Sequence, residues 1–165
     1  MTQVIFMCGP AGSGKTTASL RLEAAGFTRL SIDDEAWRDG HREHPLPDDV
    51  AEQMRARVRA RLIELVASGT DVVLDLAFWS RAVRDDYRRL LAPYGVVPET
   101  HYLATPREVV LARLAARTNA GPDEIVLPRA VAEAYFDGFE APTPEEGPLQ
   151  IVSGTAQRIT APPEP

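Results

Sequence analysis

The chain has 165 residues, of which 44% are hydrophobic and 25% charged, and its formal net charge is −6. This length suits one domain, the composition is that of a folded protein, and the negative charge disfavours nonspecific binding to nucleic-acid phosphates. Cys8 is the single cysteine, which excludes an internal disulfide. With no signal-peptide pattern and no apolar run of membrane length, these features predict a cytoplasmic protein.

In the first half of the chain, short apolar runs alternate with longer helical patterns. The first strand ends at Gly9, Gly26 stops the first helix, and the long helix repeats apolar side chains on one face. The predicted elements are, in order, strand 4–7, helix 14–25, strand 27–32, polar loop 39–49 and helix 50–68.

The second half continues the alternation, with Ser80, Pro106 and Pro128 suited to helix starts. The predicted elements are strand 72–76, helix 80–94, strand 100–104, helix 106–118, loop 119–127, helix 128–139, irregular segment 141–148 and strand 149–152. This order predicts a layered α/β fold with a mainly parallel sheet. We expect one domain over residues 1–160 and a frayed, proline-rich tail over residues 161–165.

Residues 9–16, Gly-Pro-Ala-Gly-Ser-Gly-Lys-Thr, match the full P-loop pattern between a predicted strand and a predicted helix. The glycines let backbone N–H groups face a phosphate, and the helix start adds its own N–H groups. Lys15 is expected to act on the β- and γ-phosphates of ATP, and the Thr16 hydroxyl to coordinate Mg²⁺. The predicted ATP-binding residues are Gly9, Ala11, Gly12, Ser13, Gly14, Lys15, Thr16, Thr17, Arg113 and Arg117.

The chain lacks the Asn-Lys-x-Asp and Asp-x-x-Gly elements of small GTPases, and it is short for a motor ATPase. It carries instead an acidic pair, Asp33 and Asp34, directly after the second predicted strand. A kinase needs a carboxylate at this edge of the sheet to accept or orient the proton of the acceptor hydroxyl. We interpret Asp33 as that base, while either aspartate could simply cap the helix that follows.

Asp75 comes near the end of the third apolar strand, where P-loop proteins have their second acidic position. It is expected to hold a Mg²⁺-bound water or an acceptor hydroxyl, and a structural turn or cap is the alternative.

Arg113 and Arg117 are four residues apart, and therefore on one face of a predicted helix, directly before a segment containing Gly121 and Pro122. We expect residues 113–130 to form a lid that brings Arg117, with Arg113, to the transferring phosphoryl group. The alternative is an ordinary pair of surface arginines.

The chain resembles a family of bacterial P-loop kinases, the AAA_33-like family. The resemblance is carried by three segments, 9–16, 30–37 and 72–81, and by Arg113–Asn119 and Phe139–Pro142. This family is related to polynucleotide kinase, chloramphenicol phosphotransferase and the zeta toxins. The resemblance implies a five-stranded parallel sheet in the order 2-3-1-4-5 with a helical lid. It also implies that Asp33 activates the acceptor hydroxyl and that Arg117 lies near the nucleotide.

Polynucleotide kinases carry an arginine shortly after the acidic pair, whereas Arg38 here lies two residues further on, so the resemblance does not imply a nucleic-acid substrate. Aromatic residues near the two strand ends suit a sugar, nucleoside or antibiotic ring, although they could equally belong to the core. The predicted acceptor-binding residues are Asp34, Trp37, Arg38, Asp75, Phe78, Trp79, Arg81 and Arg84.

The sequence therefore predicts an ATP- and Mg²⁺-dependent kinase that phosphorylates a hydroxyl group of a small molecule, without binding nucleic acid or a membrane. A polynucleotide or nucleotide kinase is the alternative within the same class. A regulatory or toxin-like nucleotide-binding module is the alternative from another class, and it has no need of an acceptor base. The acceptor and the oligomeric state stay open.

Overall fold

A computed structural model describes residues 2–43, 45–118, 121–122 and 126–152. Within them, five strands form one parallel sheet in the order β2-β3-β1-β4-β5. This is the predicted fold, and the predicted strand order is confirmed. The strands are β1 Val4–Cys8, β2 Thr28–Ser31, β3 Val72–Ala77, β4 Glu99–Leu103 and β5 Leu149–Val152.

Helices connect the strands and cover the sheet. They are α1 Lys15–Ala24, α2 Ile32–Arg38, α3 Asp48–Ala67, α4 Arg81–Leu91, α5 Arg107–Ala115 and α6 Arg129–Asp137. The helix predicted over 80–94 ends at Leu91 and tightens into a 3₁₀ turn, Ala92–Tyr94, because Pro93 lacks the N–H that an α-helix requires. The helix predicted over 106–118 ends at Ala115.

The central strands are buried, since helices pack on both faces of a parallel sheet. All five residues of β1 are buried. On one face Phe6 and Leu74 pack with Leu62 of α3 and Leu91 of α4. On the other face, a second cluster includes Met7, Val73 and residues of α1. Cys8 belongs to the first cluster, and burial raises the pKa of its thiol to about 12, so it is a neutral thiol at physiological pH.

The sheet order places three strand ends next to each other. Asp75 of β3 is the register partner of Met7 in β1 and of Ser31 in β2. The P-loop follows β1, and α2, with Asp33 and Asp34, follows β2, so both meet at the carboxyl edge of the sheet. No helix in the described ranges has the length and apolar character needed to span a bilayer.

Part of the predicted lid and all of the predicted tail fall outside the described residues. Residues 119–120 and 123–125 of the lid segment are not described, and neither are residues 153–165. The prediction of a lid over 113–130 and of a frayed tail over 161–165 therefore stays a prediction.

Candidate active site

The P-loop has the backbone conformation that its glycines were expected to allow. Gly12 and Gly14 have φ values of 82° and 98°, in the left-handed region. A Cβ at Gly9 would lie 2.4 Å from Ser13 Oγ, so the loop closes too tightly there for a side chain. Gly14 precedes α1 and provides no side-chain cap, which leaves the first N–H groups of the helix to bind an anion.

Two side chains from outside the loop bind its carbonyl groups. Thr105 Oγ1 donates to the Ser13 carbonyl at 2.6 Å, and Arg113 Nη1 donates to the Gly12 carbonyl at 3.4 Å. Arg113 therefore contacts the P-loop directly, and its ATP-binding role stays a prediction. Arg117 is half-buried and lies two residues beyond the end of α5. Its action on the phosphoryl group stays a prediction.

A buried acidic network joins the P-loop helix to the strand ends. Lys15 Nζ lies 3.4 Å from Asp75 Oδ1. Asp75 Oδ2 accepts hydrogen bonds from Ser19 Oγ at 2.9 Å and from Arg29 Nη2 at 2.8 Å. Arg29 Nη1 also pairs with Asp34 Oδ2 at 2.6 Å, so one guanidinium, only 4% exposed, bridges both carboxylates.

The pKa values of the two carboxylates are shifted in opposite directions. Burial alone would raise the pKa of Asp75, but the charges of Lys15 and Arg29, with hydrogen bonds from Arg29 and Ser19, hold it below its usual value. Burial raises the pKa of Asp34, and Arg29 offsets this only in part. Asp75 is consequently a stable anion beside the P-loop lysine.

The donor set at this point suits Mg²⁺. Asp75 Oδ1 is buried and accepts no hydrogen bond from any described residue. The half-buried Thr16 hydroxyl belongs to the first turn of the same P-loop helix as Lys15. A carboxylate oxygen and a hydroxyl are hard ligands of the kind that Mg²⁺ takes from proteins while it keeps its contacts to phosphates and water. Thr16 and Asp75 therefore have donor groups that suit the ion, and their role as its ligands stays a prediction.

A cavity of about 500 Å³, here called the site cavity, opens beside the P-loop. This volume falls in the range of small-molecule sites. Five residues predicted for the site line it and so share one space: Ala11, Lys15, Asp33, Asp75 and Trp79. The remaining lining residues are Pro10, Ile32, Leu76, Ala77, Ala134, Tyr135, Gly138 and Phe139.

Phe78 and Arg84 do not have the acceptor-binding positions predicted for them. Phe78 is fully buried and stacks on Phe6 with ring centroids 4.3 Å apart. Arg84 is also buried, and its guanidinium donates to the carbonyls of Phe78 and Glu140 and pairs with Glu146 at 2.9 Å. Both predictions were wrong, because the side chains of Phe78 and Arg84 are buried in the protein interior.

Four other predicted acceptor residues lie outside the lining of the site cavity. Asp34 is held by Arg29, as described above. Trp37 lies under the guanidinium of Arg42, 3.7 Å from its ring centroid. Arg38 is 72% exposed and pairs with Glu35, and Arg81 pairs with Asp85 on the first turns of α4. Nothing in these contacts directs the four side chains to an acceptor.

Three residues with clear places in the site were missed from the sequence. Arg29 sits in β2, where an arginine gives no signal of burial until its two carboxylate partners are known. Tyr135 and Phe139 reach the site cavity from α6 and its C-terminal end. A repeat of apolar residues in α6 could have indicated a packed face, but not which cavity it meets.

The fold and this site define the class of protein: a P-loop kinase, an ATP-dependent phosphotransferase with an alcohol group as acceptor. The chain belongs to the AAA_33 family, whose model, described as an AAA domain, matches residues 4–142. Shikimate kinase 2 of Escherichia coli O81 (strain ED1a) is 29% identical over 129 residues, which cover 78% of this chain and 70% of that protein.

Solved structures of other proteins share the fold. A gluconokinase from Sinorhizobium meliloti 1021 aligns with a TM-score of 0.63 at 23% identity, covering 92% of this chain and 82% of that one. A chain of the Pnkp1/Rnl/Hen1 RNA repair complex aligns with a TM-score of 0.72 at 19% identity, covering 83% of this chain and 43% of that one. Structural similarity at these sequence identities establishes the fold alone. The acceptor has to be inferred from the residues of the site.

Proposed function

We propose that the protein uses ATP and Mg²⁺ to phosphorylate a hydroxyl group of a small molecule bound in the site cavity. The observation that carries the proposal is that Lys15 and Asp33 line the same cavity. A cation suited to the phosphates and a carboxylate suited to the acceptor hydroxyl therefore face one space, as transfer between two bound substrates requires.

On the nucleotide side, the backbone N–H groups of the P-loop and the start of α1 would hold the phosphates. Lys15 and Arg113 would add positive charge, Lys15 within the site cavity and Arg113 against the Gly12 carbonyl. Thr16 and Asp75 would hold Mg²⁺, which when bound neutralises charge on the β- and γ-phosphate oxygens.

On the acceptor side, Asp33 would accept the proton of the acceptor hydroxyl. The oxygen of that hydroxyl forms a bond to the γ-phosphorus while the bond from this phosphorus to the bridging oxygen of ADP breaks, and ADP leaves with the electron pair. Asp34 suits this role less well, since Arg29 holds its carboxylate outside the cavity lining. Of the two aspartates, Asp33 is therefore the better candidate for the base.

The named relatives bear on the choice of acceptor. A shikimate kinase and a gluconokinase act on small molecules by their names, and they support a small-molecule acceptor for this chain. The RNA repair complex keeps a polynucleotide end as the alternative. Arg38, the arginine nearest to the polynucleotide kinase pattern, is exposed and paired with Glu35 outside the cavity lining, which favours the small molecule.

The proposal also includes the single domain and the lid that the sequence predicts. Residues 1–160 would form one kinase domain, and Arg117, on a lid over 113–130, would stabilise the charge of the transferring phosphoryl group. A purely regulatory nucleotide-binding module would have no use for a carboxylate in the cavity.

The substitution Asp33→Asn tests the proposal. Phosphoryl transfer is expected to fall by about 10²–10⁴-fold because the acceptor loses its base, while affinity for ATP stays nearly unchanged. Phosphorylated product is measured by mass shift over an acceptor library, and affinity for a non-hydrolysable ATP analogue by calorimetry.

Glu35→Gln is the matched control, because it removes the same charge from the same helix outside the cavity lining and is expected to leave transfer intact. Transfer by Asp33→Asn at the wild-type rate would contradict the assignment of the base. Absence of any ATP-dependent phosphorylated product from the wild type would favour the nucleotide-binding module.

A further inference from the structure

One wall of the site cavity is aromatic. Trp79, Tyr135 and Phe139 line it, and the side chains of Trp79 and Tyr135 are 56% and 39% exposed. Two small residues, Ala134 and Gly138, line the same cavity. Exposed aromatic surface that faces a cavity indicates a ligand with an apolar face rather than a surface in contact with bulk water alone.

The exposure of Trp79 is built into the backbone. Ala77 and Phe78 have φ values of 66° and 52°, a conformation that non-glycine residues adopt at a cost. The Phe78 carbonyl accepts a hydrogen bond from Arg84 at 2.8 Å, and the Trp79 carbonyl accepts one from the Glu140 N–H at 2.8 Å. These contacts hold a turn that buries Phe78 and turns the next residue, Trp79, into the cavity.

The charges in the site cavity oppose an anionic acceptor. Among the described lining residues the charged groups are Lys15, Asp33 and Asp75, and Lys15 pairs with Asp75. No described arginine lines the cavity, and the two buried arginines Arg29 and Arg84 pair with carboxylates. An acceptor carboxylate or phosphate would meet like charges with no cation of its own.

Asp33 lines the same cavity as the aromatic wall. Burial, and then the negative charge of Asp33, raise the pKa of the Tyr135 hydroxyl. An acceptor between Asp33 and these rings would meet a base and an apolar surface.

We infer that the acceptor is an uncharged ring compound that packs an apolar face on Trp79, Tyr135 and Phe139 and presents a hydroxyl group to Asp33. This rests on the proposed function and deepens it. It also separates this chain from its named relatives, because shikimate and gluconate are both carboxylates.

Binding of matched pairs of compounds tests the inference, with each pair differing in one carboxylate charge. The probes are methyl shikimate against shikimate and glucose against glucuronate, measured by calorimetry with Mg²⁺ and a non-hydrolysable ATP analogue present. The neutral member of each pair is expected to bind about tenfold more tightly or better, since the like charges of the cavity act on the anion alone. Tighter binding of an anionic member, or no binding by either neutral member, would overturn the inference.

Trp79→Ala supplies the second measurement. It is expected to weaken binding of the neutral probes about tenfold with the affinity for the ATP analogue unchanged, because it removes stacking surface only on the acceptor side. Tyr94→Ala is the control, since it removes a comparably exposed aromatic side chain outside the cavity lining. Unchanged affinity for the neutral probes in Trp79→Ala would also overturn the inference.

Turnover distinguishes the inference from the function on which it rests. Neutral probes that bind but are never phosphorylated would count against the kinase proposal alone. Phosphorylation of only the anionic members would leave the kinase proposal intact and overturn the inference.

Discussion

The buried pair of Arg84 and Glu146 offers the sharpest test of the structure. Both side chains are 1% exposed, and Arg84 Nη2 and Nε donate to Glu146 Oε1 at 2.9 and 3.1 Å. Arg84 Nη1 also donates to the carbonyls of Phe78 and Glu140. Arg84→Met keeps much of the side-chain volume and removes all of these bonds.

The expected loss follows from what Arg84→Met leaves behind. Removing one partner of a buried ion pair costs about 3–5 kcal/mol, because the other charge stays buried without compensation. Arg81 and Arg88 lie 4.0 Å from Glu146 Oε1 and compensate in part, which places the expected loss near the lower end of that range. At about 2–4 °C per kcal/mol for a chain of this size, the melting temperature should fall by roughly 6–12 °C.

Urea and thermal unfolding followed by circular dichroism would measure the loss. Glu146→Gln and the double variant complete the cycle, and the double variant is expected to lose less than the sum of the single losses. Arg89→Met is the matched control: it lies on the same helix, is 72% exposed, pairs only at the surface, and should change stability by less than about 0.5 kcal/mol. A loss in Arg84→Met no larger than in this control would refute the buried pair.

Two further predictions concern the phosphate side of the site. Because Arg113 contacts the P-loop, Arg113→Ala should weaken binding of an ATP analogue by about 10- to 100-fold, as measured by calorimetry. Arg117→Ala should instead lower turnover, measured by ADP release, with little change in that affinity. Equal losses of affinity in the two variants would contradict this division of roles. Since Lys15 and Arg29 hold the pKa of Asp75 below its ordinary value of 3.8, its stabilising contribution is complete above that pH and is lost as the pH falls through the folded-state pKa. The difference in free energy of unfolding between the wild type and Asp75→Asn should thus be constant near neutral pH and shrink below pH 3.8, and a difference that stays constant under acid would contradict the pairing.

Features that depend on neighbours along the chain were predictable. The P-loop needs only a strand, a tight glycine turn and a helix in succession, and its conformation at Gly12 and Gly14 follows from residue types alone. Asp33 follows a strand and Asp75 lies near the end of one, and parallel strands bring such positions to one edge. Hydrophobic periodicity placed the strands and the long helix within a few residues.

Features that depend on packing between distant segments were decided by the tertiary structure. Phe78, Trp79 and Arg84 lie within seven residues, and nothing local tells which of them enters the core. Only the left-handed turn at Ala77 and Phe78, and the arrival of Glu146 from 62 residues away, send Phe78 and Arg84 inward and Trp79 into the cavity. Tyr135 and Phe139 join that cavity because α6 folds back over the strand ends, and Arg29 is buried because Asp34 and Asp75 meet it from two sides. A buried charge is stable only beside partners in space, and those partners cannot be identified from the local pattern of a single chain.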